Sequence, residues 1–151
     1  MTPLFTKLNL KNQTELLVLN APESFEPELA ALTGVAILRD PAEIGQAPFV
    51  LAFVTTQSQV DALAQVVAKK TVGDAIVWFA YPKGSLKRYR SDIDRDRGWN
   101  ALGAAGFEPV RQVAIDEDWS AVRFRRVAFI KKMTRGETLA LTEEGKVRAR
   151  K

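Results

Sequence analysis

The chain of 151 residues contains no histidine and no cysteine. Those two absences remove whole classes of chemistry. A Ser-His-Asp or Cys-His centre cannot be built, and neither can an ordinary zinc site. Disulfides are excluded, and thiols give no reading of the redox compartment. Any reaction must use Asp, Glu, Lys, Arg, Tyr, Ser, Thr, backbone groups or a bound cofactor. Any metal would sit among oxygen ligands, which suits magnesium, calcium or manganese. Long apolar runs are also missing, and none approaches the roughly 18 residues of a membrane span. The opening MTPLFTKL lacks the basic start and apolar stretch of a signal peptide. The expectation is a cytoplasmic protein. Glycine is scarce where nucleotide-binding folds need it, because the first in the chain is Gly34.

What is present points to one domain with a real core. Hydrophobic residues make up 46% of the chain. The net charge is +4, unevenly spread. Residues 1–80 hold 5 basic and 8 acidic side chains, whereas residues 81–151 hold 17 and 10. A basic second half suits an anionic small molecule, a nucleic acid or an acidic protein surface, and equally a solvated face that keeps the protein soluble.

Apolar runs alternate with helical patterns. LLVL at 16–19, VAIL at 35–38, FVLAFV at 49–54, AIVWFA at 75–80 and VRQVAI at 110–115 read as strands. Pro27 stands at a plausible first helical position, with Gly34 past that helix's end. TQSQ at 56–59 resembles a capping box. Val60, Leu63, Ala64 and Val67 then trace the stripe of an amphipathic helix. A further helix is expected over residues 94–105, capped by Gly106. Residues 116–118 form a turn, and 119–130 the returning antiparallel strand, interrupted at Arg125-Arg126. The order predicts a Rossmann-like three-layer α/β domain over residues 1–133, with a mainly parallel sheet, strand one central, and an antiparallel C-terminal edge hairpin. Residues 134–151 read as a weakly ordered basic tail.

Such sheets bind ligands outside the carboxyl ends of their strands. The segment YPKGSLKRYRSDIDRDRGW (81–99) leaves a strand at that rim. Within it Lys83, Gly84, Ser85, Lys87, Arg88 and Arg90, interleaved with Tyr81 and Tyr89, form a candidate anion-binding loop. A charged, solvated connection is the competing reading. Asn20, Asp40, Tyr81, Asp116 and Trp119 are further rim candidates. Asp40 stands 20 residues after Asn20, where a ribose-binding acid belongs, although an Asp before Pro is also a common turn former. Trp119 suits either stacking on a ligand or capping the core. Arg123 and Arg125 share a strand face and are placed to pair with the acids at 116–118. DIDRDRG at 92–98 starts like a calcium loop, but Arg97 follows the third acid and Gly103 stands where the bidentate Glu belongs. Its acids suit a helix N-terminus instead, with Ser91 or Asp92 as the cap.

Three segments together, LLVLNAP (16–22), AYPKG (80–84) and AIDEDWSAVRF (114–124), resemble a family of bacterial proteins catalogued as a domain of unknown function. The resemblance spans about residues 7–126. It implies an order of elements similar to class I S-adenosylmethionine methyltransferases and brings no assigned activity or catalytic residue. Against cofactor binding, the turn NAPESF (20–25) has no glycine, and Pro22 removes an amide donor. The sequence names no cofactor and no catalytic residue. It favours a non-catalytic binding domain for an anionic ligand at the rim. A divergent methyltransferase-like transferase and a nucleic-acid-associated basic protein stand as alternatives.

Overall fold

The computed structural model describes residues 3–83 and 98–130. The elements run α1 (Pro3–Lys7), β1 (Glu15–Leu19), α2 (Glu26–Ala30), β2 (Ala36–Leu38), β3 (Phe49–Phe53), α3 (Gln57–Lys70), β4 (Ile76–Pro82), α4 (Asn100–Ala104), β5 (Phe107–Ala114) and β6 (Trp119–Arg126). Short 3-10 turns cover Glu23–Phe25, Pro41–Glu43 and Val127–Phe129. The six strands form one sheet in the order β2-β1-β3-β4-β6-β5. β2, β1, β3 and β4 are parallel, and the β5–β6 hairpin continues the sheet antiparallel, with β6 against β4.

The expected α/β architecture with its antiparallel edge is therefore present. Strand one is interior but not central, because only β2 lies beyond it and the hairpin widens the sheet on the other side.

Both faces of the central strands are covered, which explains why FVLAF and IVWFAYP are apolar throughout: every residue of β3 and β4 is buried. On one face α3 and α4 bring Val60, Ala64, Val67, Trp99 and Leu102 onto Val50, Val77, Phe79, Val122 and Phe124. On the other, α1 and α2 bring Phe5, Leu8, Phe25 and Leu29 onto Val18, Leu51, Phe53, Trp78 and Trp119. The α3 start has both halves of its capping box: Thr56 accepts from the Gln59 amide, and the Gln59 side chain accepts from the Thr56 amide.

Several boundaries and one element depart from the sequence reading. α4 begins at Asn100, because Gly98 has φ +98°, outside the right-handed helical region. Residues 94–97, including the expected helix start, lie outside the described residues. β5 begins at Phe107, three residues early, and absorbs the step in a register shift between Pro109 and Arg111. α1 is an unanticipated element. It buries Leu4 and Phe5, and the chain just after it offers the Leu8 carbonyl to the Trp78 indole N–H at 2.8 Å. β6 stops at Arg126, at the doublet where the sequence admits either a bulge or the strand end, and residues 127–129 form a 3-10 turn instead of continuing the strand to 130. The tail 134–151 lies outside the described residues, and no helix among those described is long and apolar enough to cross a membrane.

Candidate functional site

Strand order reverses between β1 and β3, since β2 lies to one side of β1 and the later strands to the other. In open α/β sheets the crevice outside the carboxyl ends at such a reversal is the expected ligand position. Here it is bordered by Asn20 after β1 and by Val54, Thr55 and Thr56 after β3.

Both borders are occupied by the chain's own side chains. Asn20 is in the left-handed region at φ +59°, a conformation asparagine tolerates better than most residues. Its Nδ2 donates across the crevice to the Phe53 carbonyl at 3.4 Å. Pro22 follows in extended geometry, and its carbonyl takes the Phe25 amide at 2.9 Å. Phe25 is buried beneath the turn, with its ring centroid 4.9 Å from that of Phe53. On the β3 side the Gln59 Oε1 gathers the Thr55 amide at 2.6 Å, the Thr55 hydroxyl at 3.1 Å and the Thr56 amide at 3.2 Å.

The other rim residues have structural work as well. Asp40 caps the 3-10 turn after β2 by accepting from the Ala42 amide at 2.9 Å. Tyr81 is buried at the end of β4, and its hydroxyl accepts from Gln112 Nε2 at 2.7 Å. Trp119 opens β6 and is also buried, edge-on to Phe53 at 5.2 Å. Asp116 shapes the hairpin turn through Oδ1, which accepts from the Asp118 and Trp119 amides at 2.8 and 2.9 Å. Lys83 is half-buried where the chain leaves β4, and its amide donates to the Asp118 carbonyl at 2.9 Å. The take-off of the basic loop is thus tied to the hairpin turn. Gly84, Ser85, Lys87, Arg88 and Arg90 lie outside the described residues.

Two features escaped the sequence reading. An open groove of about 480 Å³ lies between α2 and β2, lined by Glu23, Glu26, Pro27, Leu29, Ile37 and Arg39. Across it Arg39 and Glu26 form a bidentate pair, both bonds 2.7 Å. That hydrogen-bonded pairing holds the Glu26 carboxyl below its usual range and raises Arg39. No periodicity signals a pair 13 residues apart. The second is the partner of Arg125. It binds Asp74 through Nε and NH2 at 2.9 and 2.7 Å, not the acids at 116–118, which sit at the opposite end of β6. Among the described residues no group of three carboxylates could hold a metal ion.

No protein-family model and no curated protein matches the chain. Solved structures do. TrmN from Thermus thermophilus superposes with a TM-score of 0.53 at 10% identity, over 82% of this chain and 47% of that one. The fibrillarin pre-rRNA processing protein of Methanococcus jannaschii gives 0.51 at 13% identity, over 83% and 69%. A SAM-dependent methyltransferase from Aquifex aeolicus gives 0.51 at 12% identity, over 82% and 87%. The fold is methyltransferase-like, and the chain spans less than half the length of TrmN.

Proposed function

We propose that this chain is a methyltransferase-like domain that binds an anionic ligand or partner at the carboxyl rim of its sheet and transfers no methyl group. The observation that carries the reading is the glycine-free strand-order reversal, bridged by the chain's own side chains. A dinucleotide or adenosylmethionine site there relies on glycines that let backbone amides approach the ligand. In this chain Asn20 bridges to the Phe53 carbonyl, and Gln59 takes the amides of Thr55 and Thr56. Lys83 leaves β4 at the rim, its amide tied to the hairpin turn through the Asp118 carbonyl, and begins the basic segment. Lys83, Lys87, Arg88 and Arg90 supply the charge, and Gly84 and Ser85 supply backbone and hydroxyl donors.

The experiment has two arms. Calorimetric titration with millimolar adenosylmethionine is expected to give no saturable heat. Changing Lys87, Arg88 and Arg90 together to Ala is expected to weaken binding of phosphate-bearing ligands or RNA, and to flatten the salt dependence by about one unit per lost phosphate contact. Unchanged affinity and slope would reduce the loop to a solvated connection.

A second reading is a divergent transferase that keeps adenosylmethionine. The position of Asp40 favours it, since Asp40 stands after β2 where a ribose-binding acid belongs. A magnesium protoporphyrin IX methyltransferase from Synechocystis, solved with bound SAM, shares the fold at a TM-score of 0.51 and 12% identity. Saturable heat in the first arm, abolished by Asp40→Ala, would establish this reading in place of the first.

A further inference from the structure

Away from the rim, one row of side chains crosses the sheet on the face that α1 covers. Trp78 on β4 pairs in register with Arg123 on β6, and Arg123 pairs with Arg111 on β5. The row runs from the core to the edge: Trp78 is fully buried, Arg123 half-buried and Arg111 exposed. Arg125 lies two residues along the same face and is engaged by Asp74.

This arrangement opposes the charged form of Arg123. Like charges directly opposite one another on an antiparallel pair repel. Burial and the positive charges of Arg125 and Arg111 disfavour the charged form of Arg123, and Asp74 opposes them only in part. The Arg123 Nε is sealed from solvent and has no hydrogen-bond acceptor. An apolar side chain of similar length beside Trp78 would avoid each of these costs. Arg111 is held from below by Asn9, whose Oδ1 accepts from its NH1 at 3.3 Å. Asn9 follows α1 at φ +66°. Two arginines are therefore register partners at the outer edge of that face, where Arg111 is exposed, with no carboxylate bound to either among the described residues.

We infer that Arg111 and Arg123 form a phosphate-binding subsite on the outer face of the β5–β6 hairpin, with Asn9 as its floor. An anion between the two guanidinium groups removes their repulsion and gives charge-assisted donors an acceptor. Arg123 lies four residues along β6 from Trp119, or about 13 Å from the rim. The subsite is thus separate from the loop at 83–90 and does not depend on it. The phosphate is either free, as in a small phosphate ester or pyrophosphate, or part of a phosphodiester backbone.

The test uses the full chain, with inorganic pyrophosphate and a single-stranded oligonucleotide of about 20 nucleotides as probes. Arg111→Gln, at an exposed position, should weaken the probe that binds by about tenfold or more. Arg123→Met should weaken it similarly while leaving the melting temperature unchanged or raised, an outcome that a merely structural arginine would not give. Saturable pyrophosphate binding identifies a free phosphate ligand. Oligonucleotide binding alone, with a salt slope that falls by about 0.7 per arginine removed, identifies a polynucleotide backbone. Wild-type affinity in Arg111→Gln, or no binding of either probe to the unaltered chain, overturns the proposal. Arg111→Gln decides alone if Arg123→Met does not fold. Repeating both variants on the Lys87, Arg88, Arg90 triple-Ala background separates the two sites. Losses confined to the triple change overturn this subsite, and losses confined to the hairpin variants overturn the rim loop.

Discussion

Asn20 places a side chain at φ +59° on the border of the strand-order reversal. A β-branched residue there meets its own backbone, so Asn20→Val should cost about 1–2 kcal/mol in urea unfolding. Asn20→Gly removes the strain together with the long bond to Phe53 and should change stability by under about 0.5 kcal/mol. A large loss in the glycine variant would show that the bond dominates and the conformation does not. The Glu26–Arg39 pair supplies a pH-dependent test. The folded Glu26 titrates below its unfolded value because Arg39 hydrogen-bonds its carboxylate. Its stabilising effect is therefore complete above the unfolded carboxyl pKa and is lost as pH falls through the lower, folded one. Carbon-detected NMR titration should place the Glu26 midpoint below the ordinary glutamate value, and Arg39→Met should raise it. Because the pair is exposed, the change in melting temperature should be small.

At the level of elements, α3 and α1 lie at opposite ends of what the sequence discloses. The TQSQ start of α3 announces itself because a capping box is a local pattern, and the structure makes both of its bonds. Thr56→Ala should cost about 1 kcal/mol by chemical denaturation. α1 has only five residues, too short for periodicity to register, and its value lies in contacts far along the chain. Phe5 packs against the rings of Phe25 and Phe49, with centroids at 6.0 and 6.4 Å. Phe5→Ala should cost about 3–5 kcal/mol, and a loss under about 1 would show that α1 is only draped on the sheet. The same division governs the rest. Parallel strands buried on both faces are legible as unbroken apolar runs. Gly98, whose φ +98° delays α4, looks like any other glycine in a polar stretch. The rim was legible as a position, since topology alone brings Asn20, Asp40, Tyr81 and Trp119 to it. Their occupations were not, because the bonds from Asn20 to Phe53 and from Gln112 to Tyr81 join residues 33 and 31 apart. The arginine row needed the β4–β6–β5 register, which no single strand encodes.

The whole molecule has a tryptophan on each side of one sheet. Trp99 lies in the cluster under α3 and α4, and Trp78 and Trp119 lie in the cluster under α1 and α2. Strands β3 and β4 contribute to both, so neither face can be lost without the other. In a Trp99-only variant and in a Trp78-only variant alike, thermal unfolding followed by fluorescence should coincide with that variant's own far-ultraviolet circular dichroism transition. Separated midpoints would mean that the two layers melt independently. The sheet's two outer strands carry a further consequence. β2 offers only three residues to a newcomer, and Pro41 follows soon after it. β5 carries Pro109, which has no amide to donate, next to a bulge and the charged Arg111. Short strands, proline, bulges and edge charges are the devices by which β proteins resist growing into fibrils. Both ends of this sheet are thus poor templates for another chain's strand.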